Sequence, residues 1–396
     1  MKNHKPHIVI LNKGGNFWEG GRQYTRNLVR ALLSLPEDLV ATFDLSLLVS
    51  SEEELTCYQD FSPQLKVCDD TNTLQAPFTL SNRLRWKLQR SVGNSFNPRL
   101  EELLCSMGTT FAYPAMTGAS AKQPFASAEW IPDFQYKHCP QGSNPEEIEG
   151  RKQAFRQIAE NAQTIVLSSH HAAKDCLEIF PHSKDKNFVL QFRVFAEDSW
   201  WNLDPSQIIN KYHLPPRYLL VSNMLAPHKN HLVAIEALKI LKDRHQAVPV
   251  VFTGDIYDYR NPGYYNQFLD RVHQLGVHDY VYVLGLIPKS DQFQLLRGAI
   301  ALLQPSFFEG WHTGVEEARL LGKTLVLSDI PVHQEQDPPN RLFFDPNHPD
   351  ELAEQMLRVF ESVVNGHDLE KEDIARQNYS QLQIVYAKKF LELVGL

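Results

Sequence analysis

Two glutamates eight residues apart, Glu309 and Glu317, enclose the stretch Glu309-Gly-Trp-His-Thr-Gly-Val-Glu-Glu317, and Ala-Arg-Leu-Leu-Gly322 follows. The apolar run Ala299-Ile-Ala-Leu-Leu-Gln-Pro-Ser306 stands before them and reads as a buried strand. A strand, a Gly-containing loop and a helix start aim free backbone N–H groups and the positive end of a helix dipole at an anion. Carboxylates would repel a phosphate held there, so they are better suited to accept hydrogen bonds from the hydroxyls of a ribose or a sugar ring. Phosphate and vicinal hydroxyls together point to a nucleotide sugar. The plain alternative is a pair of surface acids at a helix start. The preceding strand, Gly310, Gly314, Gly322 and Ser328-Asp329 weigh against it.

Other residues offer matching chemistry. In Val221-Ser-Asn-Met-Leu-Ala-Pro-His-Lys-Asn-His231, Lys229 lies in a loop between a strand ending at Ser222 and the next helix. An ammonium there can neutralise a diphosphate as the bond to it breaks; a solvated surface lysine is the alternative. Gly20-Gly21 follow the first strand in a loop where backbone can approach a ligand closely, although such glycines often only close a turn. In Trp130-Ile-Pro-Asp-Phe-Gln-Tyr-Lys-His138, Asp133 and Gln135 can bond sugar hydroxyls and Lys137 or His138 can reach an acceptor, or the segment is a polar loop with no ligand. His312 has the side chain of a general base. The more modest role is for its backbone N–H, with those of Thr313 and Gly314, to face sugar or phosphate.

These residues need a scaffold, and the chain has the pattern of one. Strand-like runs at Ile8–Asn12, Phe43–Val49, Phe111–Tyr113, Ala128–Ile131, Thr164–Ser168 and Val189–Phe192 alternate with helical stretches at Tyr24–Leu33, Glu146–Ala162 and His171–Phe180. The pattern restarts with strands at Tyr218–Ser222, Val248–Thr253, Tyr280–Leu284, Ala301–Leu303 and Thr324–Ser328. Helices at His231–Asp243, Asn266–Leu275, Lys289–Gly298 and Thr313–Leu321 lie between them. Ala196–Pro216, with Trp200, Trp201 and Pro215-Pro216, reads as a linker. The fold class is therefore α/β with two Rossmann-like domains facing a central cleft, and ligands belong beyond the carboxyl ends of the strands.

Bulk properties bound the rest. The 396 residues suffice for two or three domains. A formal net charge of −8 argues against nucleic acid as a partner. No apolar run approaches the ~20 residues of a membrane span, and the start, Met1-Lys-Asn-His-Lys-Pro-His7, lacks the apolar core of a signal peptide. Five scattered cysteines, Cys57, Cys68, Cys105, Cys139 and Cys176, indicate neither a disulfide framework nor a zinc site, and a cytoplasmic location is expected. The basic stretch Arg83-Leu-Arg-Trp-Lys-Leu-Gln-Arg90 is either an ordinary surface helix or a peripheral contact with anionic lipid.

The stretch Pro305–Ala318, continued by Gly322-Lys-Thr-Leu-Val-Leu-Ser-Asp-Ile-Pro331 and Leu342-Phe-Phe-Asp-Pro346, resembles the paired-glutamate signature of the large retaining glycosyltransferase family of the glycosyltransferase-B fold, the family-four type. The resemblance implies that Glu317 holds the ribose and that Glu309 sits by the transferred sugar and the diphosphate. It implies that Lys229 meets the phosphates, and that Gly20-Gly21 with Tyr24, Asn27 and Leu28 form a first loop facing donor and acceptor. Thr253-Gly254-Asp255 and Gly285-Leu286-Ile287-Pro288 would line the nucleoside pocket, with Gly254 and Ile287 among the donor contacts. Trp311, His312, Thr313, Gly314 and Val315 join them from the glutamate loop. Two departures stand out. Asn223 and Met224 occupy positions where the family commonly has an arginine, and Pro132-Asp133 replaces a His-Asp pair, leaving Asp133 as the catalytic-side candidate. The implied domains are an acceptor-side domain over 1–200 and a nucleotide-sugar domain over 201–380, with a final helix at 381–396 returning to the first.

The expected activity is metal-independent transfer of a hexose to an acceptor hydroxyl, with retention and with no cofactor beyond the donor. The acceptor is a sugar, a lipid-linked molecule or a small molecule. Cys68-Asp-Asp70, placed in a loop, lacks the setting of a metal-binding Asp-x-Asp. Two other readings stay open: a sugar-nucleotide epimerase, which needs no acceptor, and a catalytically silent nucleotide-sugar-binding protein. A phosphorylase would need a pyridoxal-binding lysine signature, which is not found.

Overall fold

The computed structural model describes residues 5–12, 18–49, 51–58, 61, 65–69, 83, 87, 97–115, 123–140, 144–363 and 366–396. Its contacts divide into two units. Unit 1 comprises Met1–Asp133, Glu149–Arg193 and Leu382–Leu396; unit 2 comprises Phe134–Ile148 and Val194–Gln381. The break therefore falls at Arg193/Val194 rather than at 200/201, and the stretch after Asp133 groups with the second unit.

Unit 1 is built on a seven-stranded sheet. Its strands are β1 (His7–Leu11), β2 (Asp44–Val49), β3 (Lys66–Asp69), β4 (Phe111–Tyr113), β5 (Ala126–Ile131), β6 (Thr164–Leu167) and β7 (Asn187–Val189), in the order β3-β2-β1-β4-β5-β6-β7. Unit 2 has six strands, β8 (Leu219–Ser222), β9 (Val250–Thr253), β10 (Val281–Gly285), β11 (Ala301–Gln304), β12 (Thr324–Ser328) and β13 (Arg341–Phe344), in the order β10-β9-β8-β11-β12-β13. Every recorded pairing in both sheets is parallel.

The sequence accounts for this arrangement. Parallel strands covered on both faces need continuous apolar runs rather than alternation. Leu219-Leu-Val-Ser222 and Ala301-Leu-Leu-Gln304 are buried at all four positions, with Ala301 opposite Leu219 and Leu302 opposite Leu220. The helix His231–Asp243 supplies the complementary stripe, burying Val233, Ala234, Ala237, Leu238 and Leu241 at helical spacing. Its partners in that core include Val250, Phe252, Phe268 and Leu303. Truncating such a residue, Leu238→Ala for instance, costs about 2–5 kcal/mol. The chain winds outward from β8 to β10, then restarts at β11 in the other direction. This leaves a topological switch point between β8 and β11, where the loops leaving the two strands diverge.

Several elements differ from the sequence pattern. The first helix begins at Glu19, so Gly20 and Gly21 stand in its opening turn and not in a loop. Trp18 caps that helix, its carbonyl accepting from the Gly21 and Arg22 N–H groups at 3.1 and 3.2 Å. Cys68 and Asp69 belong to β3 rather than to a loop, while Asp70 lies outside the described residues. The expected strand at Val189–Phe192 sits earlier, as β7. The Ala196–Pro216 linker contains two short helices, Asp198–Trp201 and Pro205–Lys211, the second started by Asp204, whose side chain accepts from the Ser206 N–H. The last helix runs over Leu369–Val394, much longer than Gln381–Val394, and its residues divide between the units at Gln381/Leu382. Of Arg83–Arg90 only Arg83 and Lys87 are described, both exposed, so that stretch lies largely outside the described residues. No described helix is long and apolar enough to cross a membrane.

Candidate functional site

The site of unit 2 is assembled from the loops that leave β8, β9, β10 and β11. After β8 the chain makes a short 3-10 turn, Pro227–Lys229, and then passes Asn230 in the left-handed region at φ 55°. Asparagine tolerates that conformation better than most residues. The Asn230 amide secures the turn by donating to the Pro305 carbonyl at 3.1 Å and the Pro346 carbonyl at 2.8 Å. The Phe307 N–H donates to the His228 carbonyl at 2.8 Å, so the β8 and β11 loops are stitched together on both sides of Lys229.

That stitching brings Lys229 onto Glu309. The ammonium lies 2.8 Å from each carboxylate oxygen, and the side chains are only 16% and 8% exposed. Ser306 Oγ donates to Glu309 Oε1 at 2.6 Å, and His312 Nε2 is 3.5 Å from the same oxygen. Burial opposes ionisation of Glu309. The Lys229 charge, the His312 ring and the hydrogen bonds from Lys229 and Ser306 outweigh it and hold the carboxyl well below its ordinary range.

His312 is the N-cap of the helix Thr313–Leu320. Its Nδ1 accepts from the Val315 N–H at 3.2 Å, which leaves Nε2 as the protonated nitrogen facing Glu309. Burial brings its pKa down to about 3, so the ring is neutral. The expectation that the His312 N–H faces a ligand is corrected here. That N–H donates to Gln336 Oε1 at 3.2 Å, and Gln336 Nε2 returns a bond to the His312 carbonyl at 3.1 Å. Gln336 also donates to Glu316 Oε1 at 3.1 Å, and Tyr379 OH donates to Glu316 Oε2 at 2.9 Å. Glu316 is thus an interior anchor that fixes the start of the helix. The first-turn amides of Thr313 and Gly314 precede the first intrahelical bond of this helix. Gly314 has no room for a side chain, since a Cβ there would lie 2.8 Å from His312 Cε1 and 3.3 Å from Gln304 Nε2. Trp311 and Val315 are buried, Val315 completely.

Glu317, one helical position beyond Glu316, meets a different cation. Lys289, the first residue of the helix Lys289–Gly298, bonds Glu317 Oε1 and also donates to Gln292 Oε1 at 2.8 Å. Asn223, in the position of the absent arginine, is held by its own framework. His231 Nε2 is 2.6 Å from its Oδ1, and its Nδ2 donates to Gln304 Oε1 at 2.8 Å. Gly254 follows β9 at φ 131°, a conformation closed to L-residues, and a Cβ there would meet the Asn223 carbonyl oxygen at 2.3 Å. Its N–H donates to the Gly285 carbonyl at 2.9 Å, so the β8, β9 and β10 loops are laced edge to edge, with half-buried Ile287 just beyond.

Unit 1 holds the remaining candidates. Gly20 and Gly21 begin the first helix, and a Cβ on Gly20 would lie 2.9 Å from Trp18 Nε1. The Trp18 indole stacks on Trp130 at 5.5 Å, and Trp130 stacks on Tyr24 at 3.8 Å. Asp133 is half-buried, two residues past the end of β5. Gln135 and His138 belong to unit 2, where the His138 ring stacks on Phe308, beside Glu309, at 4.9 Å. Lys289, Ser306, Glu316 and Gln336 are the site residues that sequence reasoning misses. Lys289 and Gln336 are distant from the glutamate motif in sequence, and nothing in their local pattern marks them. Ser306 lies within the motif but reads as the end of a strand.

Comparison with known proteins agrees with this architecture. Residues 206–378 match the family described as glycosyl transferases group 1. O-antigen chain mannosyltransferase B of Escherichia coli is 21% identical over 232 residues, covering 57% of this chain and 59% of that relative, less than two thirds of its length. A glycosyltransferase from Rickettsia africae superposes with a TM-score of 0.66 at 16% identity over 98% of each chain. Anabaena HepE in complex with UDP does so with a TM-score of 0.67 at 14% identity, over 98% of this chain and 99% of that one. At such identities the structural likeness speaks for the fold. The chain therefore has the two-domain α/β fold of the glycosyltransferase-B enzymes, and its residues 206–378 are similar to the glycosyl transferases group 1 family.

Proposed function

We propose that this chain is a retaining, metal-independent glycosyltransferase that moves a hexose from a nucleoside-diphosphate sugar to an acceptor hydroxyl in the assembly of a glycan, glycolipid or glycoside. The observation that carries the reading is the buried Lys229–Glu309 pair beside the open first-turn amides of Thr313 and Gly314, with a second carboxylate, Glu317, one helical turn further on. One end of this arrangement suits a diphosphate and the other suits hydroxyls. The mannosyltransferase of Escherichia coli and the UDP complex of Anabaena HepE are consistent with such a ligand.

In this reading Glu317 accepts ribose hydroxyls, and Glu309 accepts from the transferred sugar. Lys229 has three N–H groups and uses at most two on Glu309, leaving one for the diphosphate. The acceptor oxygen attacks the anomeric carbon on the face from which the diphosphate leaves. The bond from that carbon to the phosphate oxygen breaks, and the departing phosphate oxygen takes the acceptor proton. Lys229 and the Thr313 and Gly314 amides oppose the charge that develops on it. His312, neutral and committed to the Val315 N–H and to Glu309, positions the carboxylate and does not serve as a base. Asp133 is assigned to the acceptor side.

The test is a thermal-shift screen of nucleotide sugars, because a ligand that binds only the folded chain raises its unfolding temperature. One donor class is expected to stabilise the wild type and to lose most of that effect with Glu317→Ala. If no nucleotide sugar stabilises the folded wild type, the reading fails. Donor-dependent product formation that requires an added acceptor separates transfer from epimerisation and from silent binding.

A further inference from the structure

We propose that Lys289 is a positioning and selectivity residue of the ribose subsite, and that with Glu317 it makes the site demand a 2′-hydroxyl on the donor nucleotide. The proposal rests on the reading of Glu317 as the ribose acceptor and adds a residue to it. Four observations lead there. The Glu317 side chain is only 9% exposed, yet its carboxylate faces an ammonium that is itself 32% exposed, so the pair sits at the rim of a ligand site rather than in a sealed core. Only Oε1 of Glu317 is engaged by Lys289; among the described residues no hydrogen bond reaches Oε2, which remains open to a ligand hydroxyl. Lys289 is also held from behind. It donates to Gln292 Oε1 at 2.8 Å, Gln292 Nε2 donates to Ser222 Oγ at 2.5 Å, and Thr253 Oγ1 donates to the same Ser222 Oγ at 3.0 Å.

This relay ties the ammonium to the carboxyl ends of β8 and β9, and β8 borders the switch point. An ordinary surface lysine has no such support and holds no fixed geometry. Finally, Lys289 follows the Gly285–Pro288 loop directly and opens a helix, where a cation is unfavourable against the positive end of the dipole. A lysine kept there needs a counter-charge, and Glu317 supplies it.

The geometry gives the subsite two complementary arms. Glu317 Oε2 accepts the proton of one ribose hydroxyl. Lys289, with two of its three N–H groups engaged, donates the third to the oxygen of the 2′-hydroxyl beside it. A 2′-deoxyribose leaves one buried arm unpaired, and a site built around a hydroxyl rejects the analogue that lacks it.

The experiment is calorimetric titration of the full chain with UDP, GDP and ADP, followed by the 2′-deoxy counterpart of whichever binds most tightly. The wild type is expected to prefer the ribonucleotide by about tenfold or more. Lys289→Met should weaken the ribonucleotide by about tenfold and leave the 2′-deoxy form within about twofold, so that the preference collapses. Lys289→Arg, which keeps the charge and the donors, should retain most of the preference. Equal weakening of both nucleotides in Lys289→Met, with the ratio preserved, would show a merely structural role and overturn the proposal. If Glu317→Ala abolishes the preference while Lys289→Met keeps it, Lys289 is excluded and the ribose reading of Glu317 stands. If no nucleoside diphosphate binds, or if Glu317→Ala keeps the preference, both fall together.

Discussion

Replacing Lys229 by methionine keeps the length of the side chain and removes its charge, which isolates the buried ion pair. In the wild type the ammonium touches both oxygens of Glu309 at 2.8 Å. At an effective dielectric near 20 the Coulomb attraction at that distance is about 6 kcal/mol before desolvation is subtracted. Breaking a buried pair by removing one partner typically costs about 3–5 kcal/mol, because the other charge stays behind in a poor solvent. Here Ser306 Oγ at 2.6 Å and His312 Nε2 at 3.5 Å continue to face the carboxylate, which argues for the lower end. Lys229→Met should therefore destabilise unit 2 by about 3 kcal/mol. The double variant Lys229→Met/Glu309→Gln removes both charges and should recover about half of that loss. Urea unfolding, read with the slope checked for constancy between variants, measures both. A Lys229→Met chain within about 0.5 kcal/mol of wild type would refute the reasoning, because the pair would then be no more than a surface contact.

Three further expectations follow from the same geometry. Gly254→Ala puts a Cβ 2.3 Å from a backbone oxygen at φ 131°, so it should cost about 3 kcal/mol or more, or prevent folding; a urea midpoint close to wild type contradicts the close approach of the β8 and β9 loops. Burial holds His231 and His312 neutral, with pKa values brought down to about 3 from an ordinary 6.5. Below that ordinary value the unfolded chain gains protons that the folded chain refuses, so stability falls as pH drops from about 6.5 toward 3, by about 1.4 kcal/mol per pH unit for each histidine. Glu309, depressed in the folded state, acts in the same direction below its ordinary 4.5. Unfolding midpoints at neutral and mildly acidic pH check the slope, and a flat profile contradicts it. Gly20→Ala should displace the Trp18 indole, 2.9 Å from the new Cβ, while changing stability by no more than about 1 kcal/mol because alanine favours the helix; an unchanged near-ultraviolet dichroism spectrum would count against the Trp18–Trp130 stack.

The strands at the centre of each sheet were legible because burial on both faces demands unbroken apolar runs. Ala301–Gln304 and Thr324–Ser328 are examples, as is the striped helix His231–Asp243 between β8 and β9. Edges were not. β3 contains Lys66, Cys68 and Asp69 and carries no such run, while β13 passes as part of a motif rather than as a strand. The glutamate loop announced itself because its glycines and acids are contiguous. The residues that hold it in place did not: Gln336 clamps the His312 backbone from 24 positions away, and Lys289 reaches Glu317 from 28 positions before it. Periodicity speaks to what a residue buries and says nothing of what a long polar side chain will reach. Asn223 shows the same limit. The sequence marks it as a missing arginine, whereas the structure uses it to join His231 to Gln304.

The most direct test of the account is transfer itself. Purified chain is incubated with nucleotide sugars and a panel of glycan, lipid-linked and small-molecule acceptors in excess chelator, and the anomeric configuration of the product is read by NMR. The account predicts a new glycosidic bond from one donor class, with the anomeric configuration of the donor kept and chelator without effect. It also predicts that Glu309→Gln and Lys229→Met lower turnover at saturating donor. Inverted product, transfer that chelator abolishes and a divalent metal restores, or full turnover in Lys229→Met would contradict it.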